Sequence, residues 1–316
     1  MAAVDVEDLR VSYGDVVAVD GVSFAAEAGK ITAVLGPNGA GKTTTMEVLE
    51  GFKRPGAGTV TVLGLDPTRE HDALTRRMGV MLQSGGVGPG VRVLESVVHA
   101  AALYDHALDP AELLERVGLT GKERRSWRQI SGGEQRRLAL ALALVGQPQV
   151  AFLDEPASGV DPQGRQAIRE VVASLRDDGV TVLLTTHDLD EAEKLADHVV
   201  ILDHGKVVAA GSPAELMRQT TPDEVRFGAP PALDVADLGA RIGATVTETT
   251  PGEYLVAAAG TPTLVAALTA WLAERDLPLA DLRAGRQRLE DVFLRLTSEA
   301  ELPPPDTGRR GRRGRP

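Results

Sequence analysis

The segment Gly36-Pro37-Asn38-Gly39-Ala40-Gly41-Lys42-Thr43 constrains this 316-residue chain more than any other stretch. An all-apolar run, Ile31–Leu35, precedes it, and a helical pattern from Lys42 to Leu49 follows. A strand that turns through glycines into a helix aims successive backbone N–H groups at one concavity, where an anion can sit. Glycine lets the backbone wrap closely around that anion, and the helix N-terminus adds a favourable dipole of about 0.3–1 kcal/mol at exposed sites. The spacing G-x-x-x-x-G-K-[ST] predicts a phosphate loop. Residues Gly36 to Thr43, with Thr44 beside them, are the expected nucleotide-binding set; Lys42 is expected at the β- and γ-phosphates and the Thr43 hydroxyl on Mg²⁺. A glycine turn with an incidental lysine would not require a strand before it and a helix after it.

A second apolar run, Val150-Ala151-Phe152-Leu153, ends in Asp154-Glu155. Strands buried on both faces deliver side chains to their C-terminal edge, where open α/β sheets bind ligands. Asp154 is then suited to Mg²⁺, and Glu155 to polarising a water for attack on a γ-phosphate, with Lys42 stabilising the charge that develops. Further runs at Val80–Leu82, Val180–Thr185 and Val199–Leu202 predict a mostly parallel sheet covered by helices. Val4–Val11, Val16–Phe24 and Thr59–Leu63 alternate in the manner of partly exposed antiparallel strands. From about Val91 to Leu144 three helical patterns replace strands, predicting a helical insertion at about 91–145.

The expected divisions are a nucleotide-binding domain over 1–218, a linker at Gln219–Asp223 after a short helix Ala214–Met217, and a small α+β domain over 223–300. In that small domain the pattern reads strand, helix, two strands about Pro251-Gly252, helix near Thr263–Glu274, strand, and a last helix Leu289–Leu296. Residues 301–316, rich in Pro, Gly and Arg, read as a disordered basic tail.

Composition narrows the chemistry. With no cysteine, thiol catalysis, zinc ribbons, iron–sulfur clusters and disulfide scaffolds are excluded. The formal charge is −11, and removing the tail's Arg309, Arg310, Arg312, Arg313 and Arg315 takes the remainder to −16. A body so acidic lacks the clustered Lys and Arg that nucleic-acid binding needs. Aromatics at 3% leave little for an apolar drug-binding pocket. The first residues lack a basic segment followed by an apolar one, so no secretory leader is expected. The uncharged stretches Leu138–Leu153 and Leu255–Ala273 are broken by Gly, Pro and Gln and read as ordinary strand and helix rather than membrane spans.

Between the two nucleotide motifs lies Ile130-Ser131-Gly132-Gly133-Glu134-Gln135-Arg136-Arg137. Ser131 would cap the helix that follows it, but a cap does not account for two glycines, and a second anion cradle does. With this motif the chain resembles the nucleotide-binding subunits of ATP-binding cassette (ABC) transporters. The resemblance implies an α/β P-loop NTPase of the ABC ATPase type: a mostly parallel sheet, an antiparallel β subdomain and a helical subdomain. It implies ATP and Mg²⁺ as cofactors and a second copy of the chain as partner. The two copies pair head to tail, so that Ser131, Gly132 and Gly133 of each close over the ATP on the other's phosphate loop.

The resemblance also assigns Tyr13 to stacking on adenine, Gln83 to Mg²⁺ and the attacking water, and His187, in Thr185-Thr186-His187-Asp188, to the γ-phosphate. Asp161, in Ser158-Gly159-Val160-Asp161, falls in the loop that crosses the dimer; followed by Pro162, it also reads as a helix N-cap. Glu134 stands where glutamine is commonest, and Ile130 and Val160 where leucine is; none of these removes a group that hydrolysis needs. The closing Leu289-Glu290-Asp291-Val292-Phe293-Leu294-Arg295-Leu296-Thr297 is similar to that of daunorubicin-resistance-type exporters. That likeness implies a separate transmembrane permease and a place at the cytoplasmic face of the membrane. A soluble cassette ATPase acting in translation or DNA repair is the alternative; a basic face, a second cassette or a long coiled coil would mark it, and the sequence has none of these.

Overall fold

The computed structural model describes residues 2–82, 86–219 and 224–284, with the helical positions 289, 290, 292, 293 and 295. The chain opens with two twelve-residue strands, β1 (Ala2–Tyr13) and β2 (Val16–Glu27), joined by a tight turn at Gly14. Next come β3 (Ile31–Leu35), α1 (Lys42–Leu49), β4 (Ala57–Val62), α2 (His71–Thr75) and β5 (Met78–Met81). Helices α3 (Val93–Ala101), α4 (Pro110–Arg116) and α5 (Gly132–Leu144) follow, with a single 3₁₀ turn at Trp127–Gln129 and no strand. The α/β alternation then resumes: β6 (Val150–Asp154), α6 (Pro162–Asp177), β7 (Thr181–Thr186), α7 (Leu189–Leu195), β8 (His198–Asp203), β9 (Lys206–Gly211) and α8 (Pro213–Gln219).

Six strands form one sheet in the order β5-β6-β7-β3-β8-β9, parallel throughout except for the antiparallel β8–β9 pair. Every residue of β3, β6 and β7 is buried, which explains why these runs lack polar alternation. Strands β1, β2 and β4 form a separate antiparallel sheet in the order β2-β1-β4. Its inward side chains, Val4, Val6, Val11, Val22 and Phe24, share a core with Met46, Val48 and Leu49 of α1 and with Phe152 of β6. The phosphate-loop helix is thereby clamped between the two sheets.

The structure corrects the expected strand Val80–Leu82. It begins at Met78, and Leu82 lies beyond its end and is exposed. Gly79, inside the strand, is glycine because a β-carbon there would stand 2.0 Å from the Ala143 carbonyl of α5, which packs directly on the strand. The helix expected at Ala214–Met217 runs from Pro213 to Gln219, so Gln219 is helical rather than linker. The rest of that linker and residues 301–316 lie outside the described residues.

Contacts divide the chain into compact units, one built on Met1–Pro213 and one of Ala214–Val292. The second contains β10 (Val225–Gly228), α9 (Val235–Ile242), β11 (Val246–Thr250), β12 (Glu253–Val256), α10 (Pro262–Ala273) and β13 (Leu282–Ala284). This βαββαβ succession, with the antiparallel order β11-β12-β10-β13, is a ferredoxin-like arrangement. Val225, Phe227, Tyr254 and Val256 alternate inward against Leu238, Leu264, Leu268 and Trp271 of the two helices. Phe227 and Tyr254 stack with centroids 5.1 Å apart. The Trp271 indole N–H donates to Asp237 at 2.8 Å, while Arg275 lies over the same ring. Among the described residues no helix is long and apolar enough to cross a membrane. The stretches 138–153 and 255–273 instead divide between α5 and β6, and between β12 and α10.

Candidate functional site

The loop between β3 and α1 is shaped by how little room its glycines have. A β-carbon on Gly36 would meet the Leu202 carbonyl of β8 at 2.4 Å, and one on Gly41 would meet the Ala18 carbonyl of β2 at 2.6 Å. Gly41 is also the residue preceding α1, with a left-handed φ of 97°, and no side chain caps the helix there. The first turn of α1 carries no acidic residue either. The N–H groups that usually receive a capping oxygen are thus offered to the concavity that Gly36–Gly41 encloses, the arrangement that suits a phosphate.

Lys42 is buried, and its ammonium donates to the carbonyls of Gly36 at 2.7 Å and Pro37 at 3.0 Å. Burial lowers its pKa below the ordinary lysine value, and the carboxylates of Glu155 and Asp154 act in the opposite direction. Asp154, at the end of β6, is buried beside the same loop; Thr43 donates to its Oδ2 at 3.4 Å. Its Oδ1 accepts from the Thr185 hydroxyl of β7. Glu155 follows in a left-handed backbone conformation, φ 47°. Its N–H is held by the Thr185 hydroxyl at 3.0 Å and by the Thr185 carbonyl at 3.2 Å. The Glu155 carboxylate is mostly enclosed, and its Oε1 lies 3.4 Å from Nδ1 of the exposed His187.

The structure therefore brings together five of the residues singled out from sequence: Lys42, Thr43, Asp154, Glu155 and His187. Tyr13 stands at the end of β1, half exposed, its hydroxyl 3.1 Å from Glu47 and 3.5 Å from Thr44 of α1. The Lys53 ammonium lies 3.5 Å from the centre of the Tyr13 ring. Gln83 lies outside the described residues.

A second group forms around the start of α5. Ser131 is the N-cap, accepting from the Glu134 N–H at 3.2 Å, while Glu134 reaches back to the Ser131 N–H at 2.7 Å. Glu134 is also tied to Lys122 at 2.8 Å, which holds its carboxyl below the usual range. Gly133 packs on the loop before α6: a β-carbon there would stand 3.1 Å from Val160 and 3.5 Å from the Asp161 carboxylate. Asp161 caps α6 by accepting from the Gly164 N–H at 3.0 Å. Buried Gly133 thus packs the start of α5, where Ser131 and Gly132 are exposed, against the loop that ends at the exposed Asp161. Among the described residues no hydrogen bond or ion pair joins them to Lys42, Thr43, Asp154, Glu155 or His187.

Sequence reasoning missed Thr185, which grips both Asp154 and Glu155, and Thr186, whose hydroxyl donates to the buried Glu191 at 2.6 Å. Their signal was two threonines closing the apolar run Val180–Leu184, a composition that also fits any strand end. Glu50 was missed as well. It is buried at the end of α1, where desolvation and the neighbouring Asp154 and Glu47 push its pKa up to about 8.

Comparison with known proteins agrees with this geometry. Residues 19–158 match the ABC transporter family model. The chain is 36% identical over 304 residues to the daunorubicin/doxorubicin resistance ATP-binding protein DrrA of Streptomyces peucetius, covering 93% of this chain and 92% of that protein. It is 38% identical over 307 residues to the Nod factor export ATP-binding protein I of Ralstonia nicotianae, covering 92% of each. Among solved structures, an ATP-binding subunit of an ABC transporter superposes with a TM-score of 0.62 at 27% identity, over 69% of this chain and 92% of that one. An ATP-binding cassette solved as a dimer with ADP and Pi shares the fold, with a TM-score of 0.60 at 24% identity, over 66% of this chain and 98% of that one. The chain belongs to the ABC transporter family, as one of its ATP-binding and ATP-hydrolysing subunits.

Proposed function

We propose that this subunit powers efflux of a drug, antibiotic or other hydrophobic compound through a separate membrane permease. The observation that carries this reading is the extent of the likeness. Similarity to a drug-resistance ATP-binding protein runs through 93% of the chain, the ferredoxin-like unit included. The cargo is read by the permease, so this subunit supplies the cycle of closure and opening. No observation favours a role in translation or DNA repair.

In the proposed cycle ATP lies with its phosphates in the Gly36–Thr44 loop and its base on Tyr13. Thr43 and Asp154 would hold Mg²⁺, with Gln83 as a further ligand. Among the described residues no three acidic or histidine side chains form a cage, which fits an ion that keeps waters and binds through one or two protein oxygens plus phosphates. The metal would neutralise charge on the phosphate oxygens. Glu155 accepts the proton of the attacking water, His187 contacts the γ-phosphate, and Lys42 stabilises the charge that develops there. Ser131, Gly132, Gly133 and Asp161 face a second copy, joined head to tail, whose ATP they close over.

The protein would work at the cytoplasmic face of the membrane. The five tail arginines would add attraction to anionic headgroups of about 1 kcal/mol each. Unchanged association with anionic vesicles at low salt after deletion of residues 309–316 would remove that part of the proposal. The main test is a pull-down of the Glu155→Gln variant from detergent-solubilised native membranes with mass spectrometry. A co-purifying polytopic membrane protein supports export. Recovery of ribosomal or repair proteins alone would overturn it while leaving the ATPase assignment intact.

A further inference from the structure

Two helix N-termini of this chain face an anion in the proposed cycle, and they are built in opposite ways. Helix α1 has no side-chain cap and no acidic residue in its first turn, so its N–H groups and dipole are left to the phosphate. Helix α5 is capped by Ser131 and carries Glu134 in its first turn. The Glu134 Oε2 accepts from the Ser131 N–H at 2.7 Å, which sets a carboxylate beside the residue whose hydroxyl would meet the partner's ATP. A negative charge at that point offsets the positive end of the helix dipole and repels a phosphate.

The chain meets this charge with another. Lys122, in the turn after α4, places its ammonium 2.8 Å from the Glu134 Oε1. The two oxygens of one carboxylate are thus divided between the helix start and the lysine. The hydrogen bond from Lys122, ahead of that from the Ser131 N–H, holds the Glu134 carboxyl below the usual range. Glu134 is therefore ionised, and the pair carries no net charge. Among the described residues neither group has another ion-pair partner. Lys122 is itself set by a folded turn: its N–H donates to the Leu119 carbonyl at 3.1 Å, and its carbonyl accepts from the Arg125 N–H at 2.9 Å.

We propose that Lys122 is a positioning residue for the nucleotide of the second copy: by neutralising Glu134 it lets the start of α5 close over the partner's phosphates. The proposal rests on the head-to-tail reading and adds to it a residue that need touch no nucleotide. It also separates glutamate from glutamine at position 134. Both complete a capping box, but only glutamate brings a charge that a lysine must offset.

The test combines Lys122→Met and Glu134→Gln, alone and together, in the full-length chain carrying Glu155→Gln so that ATP persists. ATP affinity of the monomer is read by titration at dilute protein, and ATP-dependent dimerisation by sedimentation velocity. Lys122→Met is expected to weaken dimerisation by about tenfold or more, the scale of an uncompensated like charge at an interface. Monomer affinity should not change, and neither should Tm, because an exposed ion pair contributes little to stability. Lys122→Arg keeps the charge and should dimerise as the parent does. With Glu134→Gln already present, Lys122→Met should have no further effect. A merely structural role would instead lower Tm and weaken dimerisation on both backgrounds alike. Dimerisation untouched by Lys122→Met overturns the proposal, as does an equal loss with and without Glu134, which would give Lys122 a contact of its own. If the parent chain forms no dimer with ATP, the head-to-tail reading fails and takes this proposal with it.

Discussion

The Thr185 hydroxyl donates to Asp154 Oδ1 and accepts the Glu155 N–H, so one side chain of β7 fixes the two adjacent acids at the end of β6. Valine has nearly the same shape and lacks the hydroxyl. Thr185→Val is expected to lower ATPase activity by about 10–100-fold, as loss of an outer-shell partner does. Half-activation should also require more Mg²⁺. A Mg²⁺ titration of ATPase rate checks this, and an unchanged curve would show that the backbone alone holds Asp154.

Glu155→Gln keeps the side-chain volume and removes the proposed base. Turnover should fall by about 10²–10⁴-fold, while ATP binding persists and a dimer accumulates with ATP. Phosphate release and size-exclusion chromatography with and without ATP read the two effects. Lys42→Ala should do the reverse, losing nucleotide affinity before any dimer can form.

Ser131 caps α5 and, in the proposed dimer, would also face the partner's phosphates. Ser131→Ala removes a cap and should cost about 1 kcal/mol of stability. Aspartate caps about as well as serine, so Ser131→Asp should keep the thermal midpoint close to wild type. A carboxylate facing the partner's phosphates should nonetheless abolish ATPase activity. A fully active Ser131→Asp variant would reduce Ser131 to its capping task.

Glu50 gives the chain a pH dependence. In the fold its pKa is about 8, against 4.5 for the ordinary side chain. Between those values the folded chain keeps a proton that the unfolded chain has released, so stability falls as pH rises through the window and levels off above it. A fully shifted group contributes a slope of about 1.4 kcal/mol per pH unit. Glu50→Gln should flatten the curve, leaving the variant relatively more stable at pH 8.5 than at pH 6. Parallel urea curves for both proteins at both pH values would remove Glu50 as the cause.

How far the sequence speaks depends on how local the physics is. The β3–loop–α1 succession was legible because glycine spacing and the strand–helix order lie within about a dozen residues. Ser131 and Asp161 were legible as caps for the same reason. Thr185 was not, because its partners lie 31 and 30 residues away and a strand-end threonine looks alike in any sheet. The start of β5 at Met78 was not legible either, because the backbone that requires glycine at position 79 belongs to α5. In the second unit the alternation of strands and helices could be read, whereas the order β11-β12-β10-β13 depends on pairings that no single segment encodes. Strand β13, only three residues long, carries almost no pattern of its own.

The phosphate loop is specified early in the chain and completed late. Its strand β3 is flanked by β7 and β8, and the Ile31 N–H is received by Asp197, 166 residues further on. Gly36 packs on the Leu202 carbonyl, and the Ala40 carbonyl accepts from the Gly205 N–H. During synthesis the eight-residue motif therefore emerges long before anything can hold its shape, and contacts this distant in sequence form slowly. A ribosome-bound chain that ends before about residue 205 carries every residue of the motif without a cradle. Nucleotide binding would then report whether β8 has closed beside β3.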